Sequence, residues 1–87
     1  MVRMYARHQV ADYDAWRQIY DAFERESLGV RSHAVYRTLD DLDEITVWHD
    51  FDDLEAAEAF VGSDELKATM AKAGVISEPN IWITAEA

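Results

Sequence analysis

Residues 2–10 alternate between two faces, Met4-Ala6-His8-Val10 on one and Tyr5-Arg7-Gln9 on the other, which predicts a first strand. The period then changes. Trp16, Ile19, Tyr20 and Phe23 recur at helical spacing, with Asp12 placed to cap the start and Arg17, Asp21 and Arg25 on the outward face. Gly29 is expected to end this helix in the left-handed conformation. Alternation resumes over 30–39, the acidic run Asp40-Asp41-Leu42-Asp43 reads as a turn, and 44–51 alternates once more, so 30–51 predicts a β-hairpin. Asp52 with Glu55 has capping-box spacing for a second helix through Val61, and Ser63 caps a short third helix carrying Leu66, Met70 and Ala73 on one face until Gly74. After Pro79, residues 80–85 form a last strand.

The resulting order is β-α-β-β-α-(α)-β within one domain, 1–87. Short connections and right-handed crossovers select an α+β, ferredoxin-like, four-stranded antiparallel-type sheet in the order 4-1-3-2 with its helices on one face. In this reading strands 1 and 3 are central, adjacent and parallel. The aliphatic set Met4, Ala6, Val10, Ile45, Val47, Phe51, Ile81 and Ile83 suits the underside of the helices. The opposite face collects Tyr5, Arg7, Trp48 and Trp82, with Val35 and Arg37. Aromatic residues mixed with arginine on an otherwise uncovered sheet have the composition of interface anchors, and predict a homodimer formed through that face.

Composition narrows the function classes. A formal net charge of −10 removes the clustered basic surface that nucleic acid or an anionic membrane requires. No apolar run approaches a spanning length and no secretory signal is present at Met1–His8, so a cytoplasmic protein is expected. The absence of cysteine excludes disulfides, thiolate nucleophiles and zinc–thiolate sites.

The chemistry left to the chain centres on histidine. His8 near the end of the first strand and His49 near the end of the third belong to the helix-facing set, and an aligned register would bring both imidazoles into one pocket. Burial and the helix starts that follow each strand would hold them neutral, which suits a general acid–base. Tyr13, Trp16 and Phe23 on the first helix, with Phe60 and Met70 on the later ones, could wall a flat aromatic ligand, although such a stripe is first of all core. The same histidines could equally be hydrogen-bonded core residues. Asp12 or Asp52 beside the two histidines adds nothing with metal-ligand spacing, and no metal is expected. His33 is expected to pair with Asp50 across the hairpin on the outer face.

The segments Arg7-His8-Gln9-Val10-Ala11-Asp12-Tyr13-Asp14-Ala15-Trp16, Gly29-Val30, Ala59-Phe60-Val61-Gly62-Ser63 and Ala73-Gly74-Val75 resemble the dimeric α/β-barrel superfamily over the whole chain. That group includes antibiotic-biosynthesis monooxygenases, small polyketide cyclases and stress-responsive barrel proteins. The resemblance implies a homodimer and cofactor-independent chemistry, in which a pocket histidine deprotonates a polyketide or phenol before ring closure or reaction with oxygen. His8 is the position that matches the acid–base, with His49 beside it. The tyrosine that partners it in the cyclases has Tyr20 as its candidate here. The asparagine and helix histidine of the haem-degrading branch are missing. A cyclase-like enzyme, a cofactorless monooxygenase and a non-catalytic ligand-binding or stress-related dimer all remain open on the sequence.

Overall fold

The computed structural model describes residues 1–87. Strands β1 (Val2–Gln9), β2 (Ser32–Thr38), β3 (Asp41–Phe51) and β4 (Asn80–Ala85) form one sheet in the order β2-β3-β1-β4. Helices α1 (Tyr13–Ala22), α2 (Leu54–Val61) and α3 (Asp64–Lys72) complete the ferredoxin-like α+β fold. Every strand pair is antiparallel, β1 with β3 included, which corrects the parallel central pair expected from the sequence. The crossover through α1 returns the chain so that β2 runs with β1; the hairpin then reverses it, so β3 must oppose β1.

Local chemistry sets most boundaries. The Asp12 carboxylate accepts the backbone N–H groups of Asp14 and Ala15, which starts α1, and Trp16 and Tyr20 are its buried residues. The helix ends at Ala22 rather than at Gly29. Phe23 leaves in an extended conformation, and the Arg25 guanidinium folds back to donate to the carbonyls of Tyr20 and Phe23. The Tyr20 carbonyl also accepts from the Phe23 N–H at 3.2 Å, so Arg25 adds a second donor there and serves the Phe23 carbonyl just past the helix end. Arg25 is therefore buried, with its guanidinium 3.8 Å over the Tyr20 ring, and not on the outward face. Gly29 does take a left-handed conformation (φ 93°), but it closes a short 3₁₀ turn, Glu26–Leu28. Asp53, not Asp52, caps α2 by accepting from Ala56, while Asp52 pairs with Arg31 at 2.6 Å. Ser63 caps α3 as its position suggests.

The hairpin departs most from expectation. Its turn is the two residues between Thr38 and Asp41, and the register shifts between Arg37 and Thr38. With side chains alternating along a strand, the placement of β2 decides which of its residues lie under the helices. His33 lies opposite His49, Val35 opposite Val47 and Arg37 opposite Ile45, all on the helix-facing side. Val35 and Arg37 therefore do not belong to the outer face, and Arg37 instead stacks 3.8 Å over the ring of Tyr13. Asp50 pairs not with His33 but with Ser32, which donates to it at 2.9 Å, and with Arg3 at 2.7 and 3.0 Å.

The core lies between sheet and helices and is anchored by Met4, Val10, Ile45, Phe51, Ala57 and Phe60. On the other side of the sheet Tyr5 and Trp82 stack at 5.2 Å, and the Arg3 guanidinium sits 3.7 Å over Trp48. Arg7 donates to Thr46 at 3.1 Å on this side, while Trp82 and Tyr36 are exposed. No helix is long and apolar enough to cross a membrane.

Candidate active site

Between the sheet and the helices lies a cavity of about 50 Å³. Strands β1 and β3 supply Met4, Ala6, His8, Val47 and His49, because alternation turns these side chains toward the helices. Trp16 and Tyr20 reach it from α1, Phe60 from α2, and Leu66, Thr69 and Met70 from α3; Phe23, Ala73 and Ile81 close it. The structure thus brings His8, His49, Tyr20, Trp16, Phe23, Phe60 and Met70 together around one space. Tyr13 lies outside it, its hydroxyl near the Arg17 guanidinium (3.3 Å) and its ring under Arg37.

The two histidines do not meet. His49 pairs with Met4 across the sheet and His8 with Ile45. Four residues of strand separate these positions, about 13 Å at the usual rise. The aligned pair expected from the sequence depended on parallel strands, and the antiparallel sheet sends the two ends apart. Nor do these histidines and the nearby aspartates assemble three metal ligands.

His8 is buried against the edge of Trp16, ring centroids 5.8 Å apart, and makes no hydrogen bond. Its Nδ1 is enclosed without a partner. Burial holds its pKa below the ordinary histidine value, so the ring is neutral near pH 7. A histidine serving only the core would normally have its buried nitrogen satisfied.

His49 is set differently. Its Nε2 lies 3.3 Å from the Tyr20 hydroxyl, and the same hydroxyl lies 2.9 Å from Nδ1 of His33. The two imidazoles stack at 5.8 Å, and Phe60 covers His49 at 5.2 Å. Burial above all, then the Arg25 and His33 charges, push the pKa of His49 down to about 3. Burial raises the pKa of the Tyr20 phenol, against the opposing pull of Arg25 and Arg17. The Nδ1 of His49, like that of His8, is enclosed and unpartnered.

Sequence reasoning missed His33 and Arg25 as members of this cluster. The turn alone gave no signal for His33: a regular ladder from a two-residue turn at Thr38–Asp41 would pair it with Thr46 on the outer face, and only the register shift between Arg37 and Thr38 sets it opposite His49. Arg25 carried none, because a basic residue one helical turn after Asp21 reads as a solvated pair.

A neutral imidazole at an apolar cavity, whose wall also holds a tyrosine set between two further imidazoles, can take and return protons of a weakly acidic ligand. This class, a ferredoxin-like α+β domain with a histidine-lined cavity under its helices, agrees with known proteins. The family model described as antibiotic biosynthesis monooxygenase matches residues 1–72. The chain belongs to the antibiotic biosynthesis monooxygenase family. Among proteins of curated function, none matches the sequence significantly. Solved structures share the fold. A conserved protein from Methanosarcina mazei Go1 superposes with a TM-score of 0.77 at 19% identity, covering 99% of this chain and 92% of that one. Rv0793 from Mycobacterium tuberculosis gives 0.71 at 20% identity, covering 99% and 94%. A candidate antibiotic biosynthesis monooxygenase from Caulobacter crescentus CB15 gives 0.79 at 15% identity, covering 99% and 89%.

Proposed function

We propose that this protein is a cofactor-independent enzyme that uses His8 as general acid–base on a small aromatic or polyketide ligand held between sheet and helices. The observation that carries this reading is the state of His8: buried at the cavity wall, neutral, and without any hydrogen bond that would explain it as a core residue. Removal of a proton from an acidic carbon or a phenol is the step it can perform. Ring closure and reaction with oxygen diverge only after that step. Membership of a family of monooxygenases supports the oxygen branch, and the cyclase branch keeps the same first step.

The cavity as it stands has room for a few waters, whereas pockets for drug-sized ligands measure roughly 300–1,000 Å³. A ring system therefore enters only with movement of the α3 wall. That wall is suited to it: no residue of α3 is fully buried, and Met70 is an unbranched, adaptable side chain.

Deuterium exchange at the acidic CH₂ of anthrone, or of the smaller 1,3-cyclohexanedione, tests the step directly by NMR in D₂O. The native protein is expected to accelerate exchange, and His8→Ala to reduce the acceleration on the order of 10²-fold or more. Equal acceleration by His8→Ala would remove His8 from the mechanism; no acceleration of either probe by the native protein would favour a non-catalytic binding role. Oxygen uptake with anthrone then separates oxygenase from cyclase.

The outer face supports a homodimer of this 1–87 domain. Trp82 at 38% exposure and Tyr36 at 55%, beside Tyr5 and Trp48, leave a broad apolar area on a sheet without helices above it. A second copy laid sheet to sheet would cover it, with Arg3 and Arg7 at the same face. Sedimentation at micromolar concentration is expected to give a dimer, and Trp82→Glu a monomer that keeps its fold. A native monomer under those conditions removes the dimer.

A further inference from the structure

The Tyr20 hydroxyl lies between two imidazoles of opposite setting. His33 is on the edge strand and exposed, opening on a surface depression beside Asp21 and Arg25. His49 is 4% exposed and lines the cavity, with an enclosed, unpartnered Nδ1. The Tyr20 oxygen is within 2.9 Å of His33 Nδ1 and 3.3 Å of His49 Nε2. A hydroxyl has one proton to donate, so it can satisfy only one of the two rings as donor; the other must present an N–H to its oxygen. Either way the three groups form an unbroken donor–acceptor chain from water to the buried ring.

We propose that His33, Tyr20 and His49 are a proton relay between the protein surface and the cavity, with His33 as its port. The relay rests on the reading that the cavity exchanges protons with a ligand, and it supplies the route by which such protons leave and return. In the outward direction a ligand at the His49 end of the cavity gives up a proton, its bond to hydrogen breaking as the His49 Nδ1–H bond forms, and the His49 Nε2–H bond breaks toward the Tyr20 oxygen. The Tyr20 O–H proton passes to His33 Nδ1, and His33 releases its Nε2 proton to water. Four bonds to hydrogen break and four form, one proton has crossed, and both rings have changed tautomer. The inward direction restores them. A cycle that first removes and later returns a proton thus resets the chain without either ring turning over.

The position of Arg25 fits this role. Its guanidinium lies over the Tyr20 ring at 3.8 Å and its positive charge opposes a resident proton on either imidazole. Protons pass along such a chain and are not stored on it. Tyr20 and His33 are accordingly positioning and transfer residues; neither is required to touch the ligand.

The test is the exchange of the His49 ring proton with water, read by ¹⁵N-edited NMR on the labelled full chain at pH 7.5. A relay predicts that Tyr20→Phe and His33→Ala slow this exchange at least tenfold, and that free imidazole added to His33→Ala restores it. A merely structural role predicts the reverse, since removing either group loosens the packing and lets water reach His49. His33 is exposed on an edge strand, so His33→Ala keeps the fold even if Tyr20→Phe does not. A ring signal too broad to observe in the native protein but visible in His33→Ala also supports the relay. Exchange in His33→Ala equal to or faster than native, or a signal absent from all variants, overturns it. The anthrone measurement is independent: an unaltered rate in His8→Ala with exchange slowed in His33→Ala removes His8 and leaves the relay.

Discussion

Phe60→Ala is expected to cost about 3–5 kcal/mol of stability, the range for truncating a buried phenylalanine. Phe60 is 2% exposed and its ring packs on Phe51 at 5.3 Å, His49 at 5.2 Å and Phe23 at 6.3 Å. It joins α2 to β3 and to the chain leaving α1, and with Ala57 it is one of only two buried residues on that eight-residue helix. Small domains have total stabilities of roughly 5–15 kcal/mol, so this single change removes a large part of the whole. Urea unfolding should show a lowered midpoint with an unchanged slope. A loss below about 1 kcal/mol would mean that α2 is not held by this ring. The space opened adjoins the cavity, so a small aromatic such as benzene should recover part of the loss in the variant and none in the native protein.

The parts of the fold that were legible in the sequence are those decided by local physics. The alternation from Met4 to Val10 fixes which side of β1 faces the helices, whatever its neighbours, and Asp12 and Ser63 cap their helices through their own next residues. The parts that were not legible depend on relations between distant segments. The acidic run at 40–43 looks like a turn because its residues favour turns, but cross-strand pairing draws Asp41 to Asp43 into β3. The register shift between Arg37 and Thr38 then sets His33 opposite His49, which carries it from the expected pairing with Asp50 to the hydroxyl of Tyr20. Gly29 has the conformation its type suggests, yet the end of α1 is set earlier by a buried Arg25 whose role no spacing announces. The candidate site was therefore half legible: the residues lining the cavity follow from periodicity, and the Tyr20-centred chain follows only from register.

Acidification is expected to unfold the protein through its buried histidines before its carboxylates titrate. In the unfolded chain a histidine binds a proton near pH 6.5, whereas His49 in the fold does so only at about 3, and His8 also below its ordinary value. Below pH 6.5 the unfolded state therefore binds protons that the native state refuses, and stability falls with pH. The stability is fully present above about pH 7 and is lost progressively down to the folded pKa. His49 alone contributes a slope of about 1.4 kcal/mol per pH unit, on the order of 4–5 kcal/mol by pH 3. His8 acts in the same direction. Asp50 also loses stability on acidification, because the Arg3 guanidinium holds its carboxyl below the usual carboxylate range, but that loss starts only near the unfolded carboxylate value of about 3.9. The interval between pH 6.5 and 4.5 thus isolates the histidines. Urea midpoints taken across it should fall steadily in the native protein and about one proton less steeply in His49→Gln. The glutamine amide can still meet the Tyr20 hydroxyl, so the comparison removes titration rather than the contact. Equal slopes in the two proteins, or a native stability that does not change between pH 7 and pH 5, would show that these rings are not buried neutral in the folded chain.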